Sequence, residues 1–312
     1  MALGTFWKMA YRDIVRNRRR TITTMIAVAL GLTVVLLMAG MLEGVFDSAL
    51  RDNIRTSTGH LQLRNDTYEI EKMSLLAKDL IEDPQTLVTQ VEALPQVQSV
   101  APVLWTSTVL STPRESSGLQ ITGIDPGDAF HDIVRQGIVE GEFLTADARG
   151  QILLGKRLTD DMDITVGDRV SLASGIANGF LEEGIFTVSG IYNSGFPSYD
   201  QNTVIMPLAQ AQSFTGTGDR ASSIIIMLND REDTGSVAAA LAAPGIGILT
   251  WEDLNQFLLQ TVEAGGAFYY LIYIIVILVV AVLIANTLLM SVFDRTREMG
   301  ILASLGMKDR QV

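Results

Sequence analysis

Two long stretches without charge constrain this chain more than any other feature. Thr21 to Leu42 (22 residues) and Ala264 to Phe293 (30 residues) contain no Asp, Glu, Lys, Arg or His. Each exceeds the ~20 apolar residues that a helix needs to cross about 30 Å of hydrocarbon. The roughly 220 residues between them have the mixed composition of an ordinary soluble domain. The expected plan is therefore two spanning helices around one large domain outside the bilayer.

Basic residues set the expected orientation. Residues 1–20 carry Lys8, Arg12, Arg16, Arg18, Arg19 and Arg20 against a single acid, Asp13. Arg295, Arg297, Lys308 and Arg310 follow the second run. The positive-inside rule then places both termini in the cytoplasm. The first run exceeds the apolar core of a typical signal peptide, and no clear A-x-A site follows, so it reads as an uncleaved anchor. Residues 5–20 fit either an amphipathic helix at the inner lipid face or a basic flank that only sets topology.

Residues 44–263 hold 13 basic and 30 acidic residues, a net charge of −17. Nucleic-acid binding needs clustered positive charge, so that partner class is excluded. The chain has no Cys, hence no disulfide framework. The only histidines, His60 and His131, lie far apart and outside any H-E-x-x-H context, so no His/Cys zinc site is expected. Walker A and G-x-S-x-G patterns are missing. No catalytic residue, metal site or cofactor is expected. Asp160, Asp161 and Asp163 read as a solvated loop. No ionisable residue lies within either run to serve an ion pathway. Asn286 reads as a hydrogen-bonding group at a helix interface.

Alternation and turn chemistry outline the middle domain. His60–Arg64, Val97–Leu110, Gly118–Ile124, Gln151–Gly155, Val166–Leu172, Ile185–Ile191, Thr203–Met206 and Ser223–Leu228 read as strands. Asp83-Pro84 starts a helix, as N-cap and first helical residue. Further helices are expected at Lys156–Met162, from Pro207, and over Ser236–Ala243. Thr250-Trp-Glu-Asp253 is a capping box opening a helix that continues into the second run. If helical throughout, Trp251 to Phe293 measures about 65 Å at 1.5 Å per residue, far more than the bilayer core. Gly265-Gly266 interrupts this arm before Phe268, Tyr269, Tyr270 and Tyr273, which suit the outer aromatic belt. Paired glycines there serve either a hinge or close helix packing. The tract Gly175–Leu181 is expected to tuck against its own domain, the alternative being a loop that touches an apolar substrate or partner.

The second run ends in Arg297-Glu-Met-Gly-Ile-Leu-Ala-Ser-Leu-Gly306. Ile301, Leu302 and Leu305 share one face of a helix expected to be short and bounded by Gly300 and Gly306. Glu298 is expected in its first turn. An apolar face there is a docking surface for a soluble partner. This segment resembles the coupling segment of FtsX-like ABC transporter permeases, which include lipoprotein-releasing permeases and macrolide exporters. Gly155-Lys-Arg-Leu-x(7)-Val-Gly-Asp-Arg-Val170, and Gly190-Ile191 followed by Thr203–Pro207, resemble looser stretches of the same family.

The resemblance covers essentially the whole chain. It implies a membrane protein of α plus mixed α/β class, with two transmembrane helices flanking a porter-like α/β domain that carries a small β-rich insert. The expected layout is a cytoplasmic segment at 1–20, spans at 21–43 and 264–293, an extracytoplasmic domain at 44–263 with the insert at about 140–200, and a coupling segment at 294–312. Arg297, Glu298, Met299, Gly300, Ile301, Leu302, Leu305 and Gly306 would meet the ATPase. The implied partners are a cytoplasmic ABC ATPase dimer, a second permease subunit (identical or paralogous), membrane lipid, and a lipoprotein or other periplasmic partner. The implied place is the bacterial inner membrane. Family members have two further spans after the coupling segment, so the sequence reads as a fragment. The look of residues 11–64, including Gly59-His-Leu-Gln-Leu63, favours the lipoprotein-releasing branch. Macrolide efflux and a cell-division permease are the alternatives within the family. A two-span sensor is the alternative outside it.

Overall fold

The first apolar run lies in helix α1 (Arg18–Asn53) and the second in α9 (Gln256–Ser304), in a computed structural model that describes residues 18–304. Residues 1–17, with most of the expected surface helix, and 305–312, with Leu305 and Gly306, lie outside the described residues. Both helices are long and apolar enough to cross a membrane. They are apolar around most of their circumference: Leu36, Leu37, Ile277 and Leu278 are all more than half exposed within the chain. A helix apolar all round needs an apolar environment. The chain divides into two units: one up to Asp47 and from Phe257 on, the other Ser48–Gln256.

The second unit is built on ten strands. They are β1 (Leu61–Asn65), β2 (Val97–Ser111), β3 (Ser116–Ile124), β4 (Ile138–Gly141), β5 (Gln151–Gly155), β6 (Arg169–Gly175), β7 (Leu181–Tyr192), β8 (Thr203–Pro207), β9 (Ser223–Leu228) and β10 (Ile246–Thr250). The order is β10-β1-β9-β2-β3-β8-β5-β7-β4, and β6 bridges β2 and β7. The long β2 serves two neighbourhoods. Val97–Val103 pairs with β9, Val103–Ser111 with β3, and Thr108–Ser111 also with β6. Because β6 pairs with β7 as well, β2-β3-β8-β5-β7-β6 closes into a six-stranded ring. Closure leaves no free edge within the ring. The strands of the expected insert therefore share hydrogen bonds with β2, through β6, and with β8, through β5.

Alternation decides what each face buries. In the ring, Leu110, Ile121, Leu154, Leu172, Val188 and Val204 belong to one core cluster. In the open part, β1 turns Leu61 and Leu63 towards α2 (Pro84–Glu92) and α7 (Thr234–Leu241), where Val88, Val91, Ile226 and Val237 complete a second core. Asp83 caps α2 as expected, accepting from the Thr86 backbone at 3.2 Å and its hydroxyl at 2.6 Å. The Thr250–Asp253 capping box is formed, opening the short α8 (Trp251–Leu254).

Several expectations need correction. The helix opened by the capping box does not continue into the second run: Asn255 leaves helical geometry, with φ −111° and ψ 20°, before α9 begins. The arm is thus Gln256–Ser304, about 74 Å at 1.5 Å per residue, and it extends past Phe293. Strand β6 starts at Arg169 because residues 165–168 form a turn: Asp168 accepts from the backbone and hydroxyl of Thr165, and Gly167 has φ +94°. Helix α6 (Leu208–Thr215) follows Pro207, which closes β8, and α7 begins at Thr234. Strands β4 and β10 were not expected. Asp160 and Asp161 lie on helix α4 (Lys156–Met162), with Asp163 at its C-cap, rather than in a loop; Lys156 contacts Asp160 at 2.5 Å and Arg114 meets Asp163 at 3.1 Å. The tract at 175–181 is tucked only in part: Ala177 packs on the ring core and donates its N–H to Thr215 O at 2.9 Å, while Phe180 and Leu181 at the β6–β7 tip are 71% and 81% exposed.

Candidate functional site

Of the expected coupling residues, Arg297 to Leu302 lie in the last described turns of α9. Arg297 to Ser304 continue the helix without a break, so Gly300 does not open a separate helix. Nothing lies within 4 Å of where a Cβ at Gly300 would stand, so no neighbour forces the chain to turn there. Glu298 consequently lies inside a continuing helix rather than in a first turn. Ile301 is 55% exposed, an apolar side chain without cover in the chain itself. Thr296 and Ser304 return hydroxyl bonds to Phe293 O and Ile301 O.

Gly265 and Gly266 lie inside the same helix. A Cβ at Gly265 would meet only Tyr269 Cε2, at 3.8 Å, and one at Gly266 would meet nothing within 4 Å. Within this chain, methyl groups fit at both positions.

The clearest structural feature is where the chain enters and leaves the second unit, Ser48–Gln256. Asn53, the last residue of α1, donates from Nδ2 to Asn255 Oδ1 at 2.6 Å. Asn255 is almost fully buried and donates its own amide to Trp251 O at 2.8 Å. One amide pair therefore ties the end of the first helix to the residue that breaks the second. Beyond Asn53 the chain makes a π-turn (Ile54–Thr58), then Gly59 at φ +63° leads into β1. A Cβ at Gly59 would stand 2.5 Å from Ile225 Cγ2 and 2.8 Å from Ile226 O, so only glycine fits this entry. Gln62 holds the turn from below, donating Nε2 to Thr58 O at 2.9 Å and Ser57 O at 3.2 Å.

The other face of β1 borders a cavity of about 360 Å³ inside the outer unit. Gln62, Arg64, Thr122 and His131 are polar or charged and nearly fully buried in its wall, beside Trp105 and Phe130. Sequence reasoning missed this site. Its one visible signal was the alternation Leu61-Gln62-Leu63-Arg64, which ordinarily marks a half-solvated strand. His60 is elsewhere: its Nδ1 accepts from Leu228 N at 3.0 Å, and burial lowers its pKa, with Arg231 adding to the effect. The two histidines do not meet, and no cluster with metal-ligand character occurs among the described residues.

Comparison with known proteins places these features. Residues 21–243 match the MacB-like periplasmic core domain, and residues 270–312 match the FtsX-like permease C-terminal region. The lipoprotein-releasing system transmembrane protein LolC of Neisseria meningitidis is 20% identical over 310 residues, covering 92% of this chain and 69% of that protein. The macrolide export ATP-binding/permease protein MacB of Rhodopseudomonas palustris is 22% identical, covering 97% of this chain and 47% of that protein. Among solved structures, the periplasmic region of MacB from Actinobacillus actinomycetemcomitans covers 67% of this chain and 97% of that region, at 16% identity and a TM-score of 0.43. With two spanning helices around a mixed α/β domain, and with the first of these matches running through most of its length, this chain belongs to the FtsX/MacB-like family of ABC transporter permeases.

Proposed function

We propose that this chain is a non-catalytic permease subunit that carries ATPase-driven motion across the inner membrane to its outer domain. Both termini are cytoplasmic and residues 44–263 extracytoplasmic, as the Lys and Arg asymmetry implies. A separate ABC ATPase dimer docks on Arg297–Gly306, and a second permease subunit completes the complex. The observation that carries this reading is α9. It runs unbroken from Gln256 at the outer domain to Ser304 in the coupling segment, so a push at one end is delivered at the other. The work done is release of a lipoprotein from the outer leaflet, a reading supported by the similarity to LolC across 92% of the chain. The comparable match to MacB favours macrolide export as the second reading.

The test is Leu302→Asp in the complex reconstituted with its ATPase. A charge placed at an apolar docking face is costly enough to block docking. The expected result is loss of ATPase co-purification and of substrate-stimulated hydrolysis, with insertion and outer-domain folding unchanged. Wild-type docking and stimulation would rule the segment out. Orientation is checked on the Cys-free chain: a single Cys at Ser117 should react only from outside, and one at Thr5 or Gln311 only from the cytoplasm.

A further inference from the structure

The cavity beside β1 contains a buried cation without a counter-ion. Arg64 is 4% exposed, and no carboxylate pairs with it among the described residues. Its Nε donates to Gln62 Oε1 at 3.0 Å and its Nη2 donates to the same oxygen. That occupies one edge of the guanidinium. Nη1 has no hydrogen-bond partner among the described residues, which leaves the edge formed by Nη1 and the outer N–H of Nη2 open. The rings of Trp105 and Tyr68 lie 5.5 and 5.8 Å from the guanidinium carbon and hold its plane from the sides. Burial lowers the Arg64 pKa to about 10, so the group remains charged at neutral pH.

A second buried group in the same wall is also unmatched. His131 is 3% exposed, and its Nε2 has no hydrogen-bond partner. Burial pushes its pKa down to about 3, so the ring is neutral and Nε2–H is available as a donor in one tautomer. Buried polar atoms are rarely left without partners, and buried charges more rarely still. The acid on the lining, Asp253, is exposed and accepts from the backbone and hydroxyl of Thr250. The volume falls within the range of about 300–1,000 Å³ typical of small-molecule sites.

We propose that this cavity binds a small carboxylate with an apolar body, its two oxygens on the open edge of Arg64, with the neutral His131 ring in the same wall. The planar fork of a guanidinium matches the two oxygens of a carboxylate. Trp105, Phe130, Ile70 and Leu249 provide apolar wall for the rest of the molecule. The site is separate from the coupling segment, so its success or failure leaves that reading untouched.

The test uses the full chain in lipid nanodiscs. Of its three tryptophans, Trp7 and Trp251 are changed to Phe, so that Trp105 in the cavity wall reports occupancy. Benzoate should give a saturable fluorescence change. Benzamide, the same size without the charge, should give none, and inorganic phosphate should bind more weakly than benzoate. Arg64→Met keeps the bulk without the charge and should fold, because replacing a buried ion by an apolar residue of similar volume is often tolerated. It should lose at least about tenfold in benzoate affinity, the scale of a charge-assisted hydrogen bond. Leu249→Phe keeps Arg64 and Trp105 as the sole tryptophan while narrowing the cavity, and should bind benzoate more weakly than the parent. Equal responses to benzoate and benzamide, or undiminished binding by either variant, would overturn the site. Tighter phosphate binding would overturn its assignment to carboxylates. If either variant fails to fold, the wild-type contrast between benzoate and benzamide decides alone.

Discussion

The outer unit and the helix pair are held in place by opposite means. Between Ser48 and Gln256, strands and short helices bury their apolar faces against one another, and Leu61, Val91, Ile121 and Val204 are wholly inaccessible. Along α1 and α9 the apolar side chains are mostly uncovered; Val35 is the exception among the described core residues. The outer unit carries its own solvent-excluded core. The helices need an apolar surrounding such as lipid, in which helix association depends on packing and interhelical hydrogen bonds rather than on release of water. Core damage should therefore appear as unfolding in one region and as altered assembly or coupling in the other.

The largest effect should come from Leu63→Ala. Leu63 is 2% exposed in the core under α2 and α7, and removing a buried leucine side chain costs about 2–5 kcal/mol. Urea unfolding followed at Trp105 should show it. The matching change on α9, Leu278→Ala, should leave that same transition within about 0.5 kcal/mol of wild type, because Leu278 is 61% exposed within the chain. A comparable loss from both substitutions would erase the distinction between the regions.

A buried histidine and a half-buried aspartate sharpen it next, because only a self-contained domain couples their titration to folding. The His131 pKa is lowered to about 3 from 6.5, so the unfolded chain gains a proton first as pH falls. Stability from this group is present above about pH 6.5 and is lost between there and about pH 3. Asp128 acts in the opposite sense. Its pKa is raised to about 7, mainly by burial and then by Asp125 and Glu92, so it favours the fold below about pH 4 and loses that contribution as pH rises to 7. The two slopes oppose each other across pH 4–6.5. Asp128→Asn should expose a stability that rises with pH there, and His131→Gln one that falls. Identical pH profiles for the two variants would show that neither group titrates with folding.

The smallest structural effect is expected at the paired glycines. Gly265→Ala with Gly266→Ala stiffens α9 by up to about 2 kcal/mol of helix propensity and meets no close neighbour in this chain. Unaltered complex assembly with reduced coupled ATPase activity would assign them to bending. Weakened assembly in detergent would assign them to packing against another subunit. A fully active, intact complex would leave them without either role.

Some of this was legible in local pattern. Charge-free length alone marked both spans. Asp83 and Thr250 announced their helix starts because a cap needs only neighbours three residues away. The alternation around Leu61–Arg64 marked a strand. The family resemblance was legible in the residues around Arg297–Gly306, but the continuity of α9 through Gly300 could not be anticipated, because a glycine is tolerated in a helix wherever nothing forces a turn.

What the sequence determined by itself is what depends on short range: which segments are apolar enough to span, where helices start, and which residues alternate along a strand. Tertiary structure decided the rest. Ring closure depends on Thr108–Ser111 meeting Ser171–Ser174, sixty or more residues away, and no local preference encodes that register. The break at Asn255 depends on a distant partner, Asn53. The polar face of β1 gave the same local signal as a strand facing water. Only the packing of the π-turn, β2 and residues 129–131 around it removed Gln62 and Arg64 from solvent and made a cavity there.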